Sequence, residues 1–136
     1  MNQNSGHWRR RYVNMRKTMA LARAVGRNDV NRVEAICGEV LKDDPCDVVI
    51  LTTLADMYWR NELPEKALPH VLKSLELEPH NFYTLRIAAG IYAERGDHKT
   101  AYFFAKRLAT SSPPIVPSGQ MVSRILAPFK WLAKVR

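Results

Sequence analysis

Cysteine is scarce in this chain of 136 residues, and so are glycine and long apolar runs. Cys37 and Cys46 are the two cysteines, with eight residues between them. That spacing fits neither a zinc ligand pair nor a redox CxxC motif. They are expected to be free thiols in a reducing compartment, because a chain able to build a core does not need a disulfide. The histidines His7, His70, His80 and His98 are scattered and form no ligand pair at helical spacing, so no metal site is expected. Six glycines form no phosphate-cradling loop, and no nucleophile, histidine and acid fall into a catalytic pattern. Asp43 and Asp44 precede Pro45 and read as a solvated loop. Neither an enzyme nor a cofactor is therefore expected. No apolar run approaches the length of about 18 residues that a membrane-crossing helix requires.

Acidic residues are also missing from both ends. Residues 1–28 hold seven basic residues and no acid, and residues 114–136 hold four and no acid. The stretch between carries ten basic and thirteen acidic residues. The net charge of +8 thus resolves into +7, −3 and +4. Such ends permit an acidic partner without choosing one. The N-terminal charges are followed by no apolar stretch of the secretory type. An apolar content of 46% is enough for a core and argues against global disorder.

What the sequence does have is a period. Pro45, Pro79 and Pro113 stand 34 residues apart, each after a helix-like run. Proline cannot continue a helix and pushes its predecessor out of helical geometry. Two helices fit within each period. In the middle one, Val48, Leu51, Leu54, Ala55 and Tyr58 share one face. A break follows at Asn61-Glu62-Leu63, and Pro64 opens a second helix, where its missing N–H costs nothing. Ala67, Leu68, Val71, Leu72 and Leu75 form the apolar face of that helix. The third period repeats the plan with Leu85, Ala88, Ala89 and Tyr92, a turn at Gly96-Asp97, then Ala101, Phe104, Ala105 and Leu108. Pro69 fits badly: a proline inside a helix costs about 3 kcal/mol, so that helix is expected to be kinked or to start later.

These residues resemble the tetratricopeptide repeat, a 34-residue helix–turn–helix unit. The middle period supplies Leu51, Leu54, Ala55, Tyr58, Ala67, Val71 and Pro79 to the pattern. The third supplies Leu85, Ala88, Ala89, Tyr92, Ala101, Ala105 and Pro113. Leucine stands where the pattern has tryptophan. The first period is degenerate: Ala20, Leu21, Ala24, Val33, Cys37 and Pro45 fall in register, but Lys17 takes the bulky position and Ala24 the tyrosine. End repeats are commonly atypical. The expected fold is all-α, an α-solenoid of about three such repeats (14–47, 48–81 and 82–113). A basic arm at 1–13 would precede them. A Pro-rich linker and a basic amphipathic helix would follow at 114–136. Removal of the basic N-terminal segment as a transit peptide would take the first helix with it, which argues against that role.

The resemblance implies a concave groove lined by the first helix of each repeat, where family members bind peptides or helices. Helical phase puts Met15, Thr18, Met19 and Ala22 there, then Val49, Thr52, Thr53, Asp56, Trp59 and Arg60, then Tyr83, Arg86, Ile87 and Gly90. The candidate binding residues are Met19, Val49, Thr53, Asp56, Trp59, Arg60, Tyr83, Arg86 and Ile87. Apolar side chains would supply contact, and the arginines anion-pairing forks. The alternative is that Trp59 and Tyr83 merely pack on a neighbouring helix. The chaperone cofactors of the family grip a C-terminal carboxylate with Lys, Asn and Arg. Here Thr18, Ala22, Thr53, Tyr83 and Ile87 occupy those faces, so that clamp is absent.

The ends supply a second candidate surface: Arg9, Arg10, Arg11, Arg16, Lys17, Arg124, Lys130 and Lys134. Met121, Val122, Ile125, Phe129 and Leu132 recur on one face after Ser118. That helix would close the array or lie on an anionic membrane, and Pro128 interrupts it in either case. His7-Trp8-Arg9-Arg10-Arg11-Tyr12 mixes aromatics with guanidinium, which suits single-stranded nucleic acid. The expected function is non-catalytic binding of a protein or peptide in the cytoplasm, as an adaptor or chaperone-like cofactor. The alternative is a peripheral factor whose basic ends touch a membrane or nucleic acid. Exposed end helices would also allow a homodimer.

Overall fold

The computed structural model describes residues 5–111, with side chains from residue 15 onward. These residues form an all-α helical repeat with no strand among them. Six helices run in order: α1 (Ser5–Gly26), α2 (Val30–Asp43), α3 (Val48–Arg60), α4 (Pro64–Leu77), α5 (Phe82–Glu94) and α6 (His98–Thr110). They pair as three hairpins, each packed on the next, and α3 also packs on α5. Helix α1 starts well before residue 14, so residues 5–13 have helical backbone. No proline lies between Ser5 and Gly26 to stop it.

Local chemistry sets the 34-residue step. Asn28, Glu62 and Gly96 have positive φ angles of 55°, 61° and 80°, at one register position in each hairpin turn. This left-handed residue ends each first helix, and the next N–H reaches back to close it. Asp29 donates to Ala24 O at 3.0 Å, Leu63 to Tyr58 O at 2.9 Å and Asp97 to Tyr92 O at 3.0 Å. The same residue then starts the second helix. Asp29 and Asp97 cap it by accepting from Arg32 N and Thr100 N, each at 3.1 Å. Leu63 cannot cap, and Pro64 at the first helical position removes one of the donors a cap would serve. Asp47 and Asn81 cap α3 and α5 through Ile50 N and Thr84 N.

The core follows the expected faces except at Leu72, which was expected on the buried face of α4 and is exposed, with Val48 and Leu68 only half-buried. Leu51, Leu54, Tyr58, Val71 and Leu85 are buried, and Ala55, Ala67, Ala89 and Ala101 are buried where helices approach closely. Tyr58 donates to Glu34 Oε1 at 2.7 Å and stacks on His70, while Tyr92 stacks on Phe104. Burial and the Glu34 hydrogen bond raise the Tyr58 pKa, so the phenol stays protonated. Pro69 is exposed inside an unbroken α4. It lies one turn past Pro64, where its absent N–H forfeits a single bond to Glu65 near the helix start. A hydroxyl cluster ties α3, α4 and α5 together. Ser74 and Thr84 are 2.8 Å apart, and Thr52 lies 2.9 Å from Thr84 and 3.2 Å from Ser74.

Candidate binding groove

The 34-residue register aligns the first helices α1, α3 and α5 along one side. Between them lies a groove of about 370 Å³. Val25 from α1, Val49, Thr52, Thr53, Asp56 and Arg60 from α3, and Asn81, Tyr83, Arg86 and Ile87 at α5 line it. Val49 and Tyr83 stand at one register position and are both exposed, at 72% and 38%. Met15 takes that position on α1 and is 53% exposed. Val49 and Tyr83 line the groove, while Met15 keeps their register on α1 outside the lining.

The polar groups of the groove are tied to one another. Asp56 holds Arg60 through Oδ2 at 2.8 Å and Arg86 through Oδ1 at 3.3 Å. Burial lowers the Arg86 pKa and the Asp56 charge opposes that shift. Arginine stays cationic regardless, so the mostly buried Arg86 depends on Asp56 as its counter-charge. Thr53 turns its hydroxyl back to Val49 O at 2.7 Å. The Thr52 hydroxyl belongs to the cluster with Ser74 and Thr84.

Six of the nine candidate residues line this groove with some surface: Val49, Thr53, Asp56, Arg60, Tyr83 and Arg86. Ile87 lines it too but is fully buried, so it supports the floor and offers no contact surface. Met19 is exposed on α1 outside the lining. Trp59 leaves the groove altogether. Its indole lies against Gly90, where a Cβ would come within 2.2 Å of the ring, and its Nε1 donates to both Glu94 carboxylate oxygens at 3.2 Å. The Arg86 guanidinium sits 5.9 Å from the indole centroid. Trp59 is therefore half-buried packing between α3 and α5. Val25 and Asn81 line the groove without having been expected there. Continuing the α1 phase from Ala22 by three would have found Val25. Asn81 is the cap of α5, and it lines the groove because α5 begins at the groove's edge.

Of the basic residues, Lys17 is half-buried and lies 3.9 Å from Glu39, and Arg16 is exposed on α1. Arg9, Arg10 and Arg11 lie on the α1 backbone before the first described side chain. Arg124, Lys130 and Lys134, with the C-terminal helix, lie outside the described residues. Among the described residues no helix is long and apolar enough to cross a membrane. No protein-family model matches the chain, and no curated protein matches it.

Proposed function

We propose that this chain is a tetratricopeptide-type array that binds a protein or peptide segment without catalysis, in the groove of α1, α3 and α5. The observation that carries the reading is the exposed row Met15, Val49 and Tyr83, which repeats at 34 residues on the solvent side. Core packing accounts for the buried positions in each helix but not for large apolar groups kept in water at one register position. Exposed apolar groups gathered in one groove, as Val49 and Tyr83 are, mark interaction sites. Pairing with Arg60 and Tyr83 adds side chains enriched at binding hot spots. The role is that of an adaptor or a small chaperone-like cofactor.

Site-specific photo-crosslinking in cells tests it. A photoreactive phenylalanine at Thr53 is expected to trap a partner polypeptide. The same residue at Phe103, exposed on α6 away from the groove, serves as the control. Trapping at Phe103 with none at Thr53 rules out the groove.

A further inference from the structure

Asp56, Arg60 and Arg86 are the charged residues that line the groove, leaving one surplus positive charge. The two arginines differ. The Arg86 side chain is 13% exposed and its Nη2 is engaged by Asp56 at 3.3 Å. The Arg60 side chain is 47% exposed. Its contacts, to Asp56 Oδ2 at 2.8 Å and to Met57 Sδ at 3.4 Å, both run through Nη2. A guanidinium carries five donors in a planar fork. Nη2 belongs to both paired edges of the fork and is taken by Asp56, so the Nη1 of Arg60 remains to donate a single charge-assisted bond to a carboxylate that approaches from solvent.

The apolar surface lies further along the groove: Val49 precedes Arg60 on α3 by about 16 Å of helix, and Tyr83 stands at the same register as Val49 on α5. Axes of packed helices lie about 8–10 Å apart, so apolar side chains spaced a few residues along a partner segment meet successive helices. Resting on the binding role above, we propose that the partner is an apolar segment carrying a single carboxylate. Its apolar side chains cover Val49 and Tyr83, and Arg60 takes its acid. Asp56 is the specificity-determining residue. It keeps Arg86 in place and cancels one of the two positive charges, so one acid is accommodated and a run of acids meets the Asp56 charge.

A random peptide library displayed on phage, selected against the full chain, supplies the probes. Enriched peptides are remade with each acid replaced by its amide and titrated against wild type, Arg60→Gln, Arg60→Lys, Asp56→Asn and Val49→Asp. Melting curves verify that each variant is folded. Enriched sequences should combine apolar residues with one acid. Amidation should weaken binding by about threefold to fivefold, the range of a half-exposed ion pair. Arg60→Gln should erase the preference for acid over amide, Arg60→Lys should keep part of it, and Asp56→Asn should tighten acidic peptides more than their amides. Enrichment of neutral or basic peptides whose binding Val49→Asp abolishes overturns this inference and leaves the binding role standing. No enrichment, or enrichment that ignores Val49→Asp, overturns the binding role and this inference with it.

Discussion

Lys17, Leu51 and Leu85 occupy one register position in the three first helices, and they meet different surroundings. Leu51 and Leu85 are buried at the centre of their hairpins. Lys17 reaches out to Glu39 and helps line a cleft of about 290 Å³ shared by α1, α2 and α3, with Leu21, Ile36 and Ile50 among its walls. Ala24 likewise stands where Tyr58 and Tyr92 fill the later hairpins. From residue 15 on, α1 buries only Leu21 and Ala24, while α5 buries seven consecutive-turn residues from Thr84 to Ile91. The first hairpin keeps the turns and caps of the repeat but not its bulky core groups. Backbone geometry and packing are thus separable: local bonds fold the hairpin, and side-chain volume decides how firmly it is seated.

The largest expected effect tests that separation directly. Leu85→Ala should cost about 3 kcal/mol, as buried leucine truncations do. Lys17→Leu, which restores the volume the later hairpins have, should instead stabilise by about 1 kcal/mol. Urea denaturation of both variants measures this, and a destabilising Lys17→Leu would break the comparison.

Glycine gives the next contrast. Gly90→Ala drives a Cβ into the Trp59 indole and should cost about 2 kcal/mol. Gly38 in α2 has no heavy atom within 4 Å of an added Cβ. There alanine should stabilise by up to about 1 kcal/mol through helix propensity alone. In a Trp59→Ala background the penalty at Gly90 should vanish, as a double-mutant cycle would read.

The smallest effect concerns local opening. Cys46 is exposed and Cys37 is buried in α2. Burial, with a smaller contribution from Asp47, pushes the Cys37 thiol from an ordinary 9.0 up to about 11. A thiol reagent should label Cys46 at once and Cys37 only when α2 opens. Val71 is the register equivalent in α4, so Val71→Cys in a Cys37→Val background gives the matched probe. Cys37 should label about tenfold faster, equivalent to about 1.4 kcal/mol less protection in the first hairpin. Because the folded value lies above the ordinary one, the contribution of this thiol is whole below pH 9.0 and drains as pH rises towards 11. The urea midpoint should fall over that window, and Cys37→Val should flatten part of the fall.

Much of the fold was legible because its determinants are short-range. Pro64, the turn at Gly96-Asp97 and the faces of Leu51, Tyr58, Leu85 and Tyr92 all act within one or two helical turns of their own position. Pro69 was harder to place, since its cost depends on how far into the helix it falls. The groove was legible in its apolar row and its charged trio, which helical phase puts on one side. Trp59 and Ile87 were not. A tryptophan on the right face reads as surface until its neighbour is known, and its neighbour is Gly90, 31 residues later in the chain. Ile87 shares the groove-facing phase but is fully buried at the groove's floor, and helical phase gives direction without depth.

The 34-residue period, the helix turns and their caps were decided by the chain locally, because each rests on hydrogen bonds between residues at most five apart. The seating of the first hairpin was decided only when α1 and α2 met α3, and the diversion of Trp59 into packing and the division of labour between Arg60 and Arg86 only when α3 met α5. Each depends on which atoms lie opposite, and two arginines alike in sequence acquire different roles once one is buried against Asp56 and the other is left facing water.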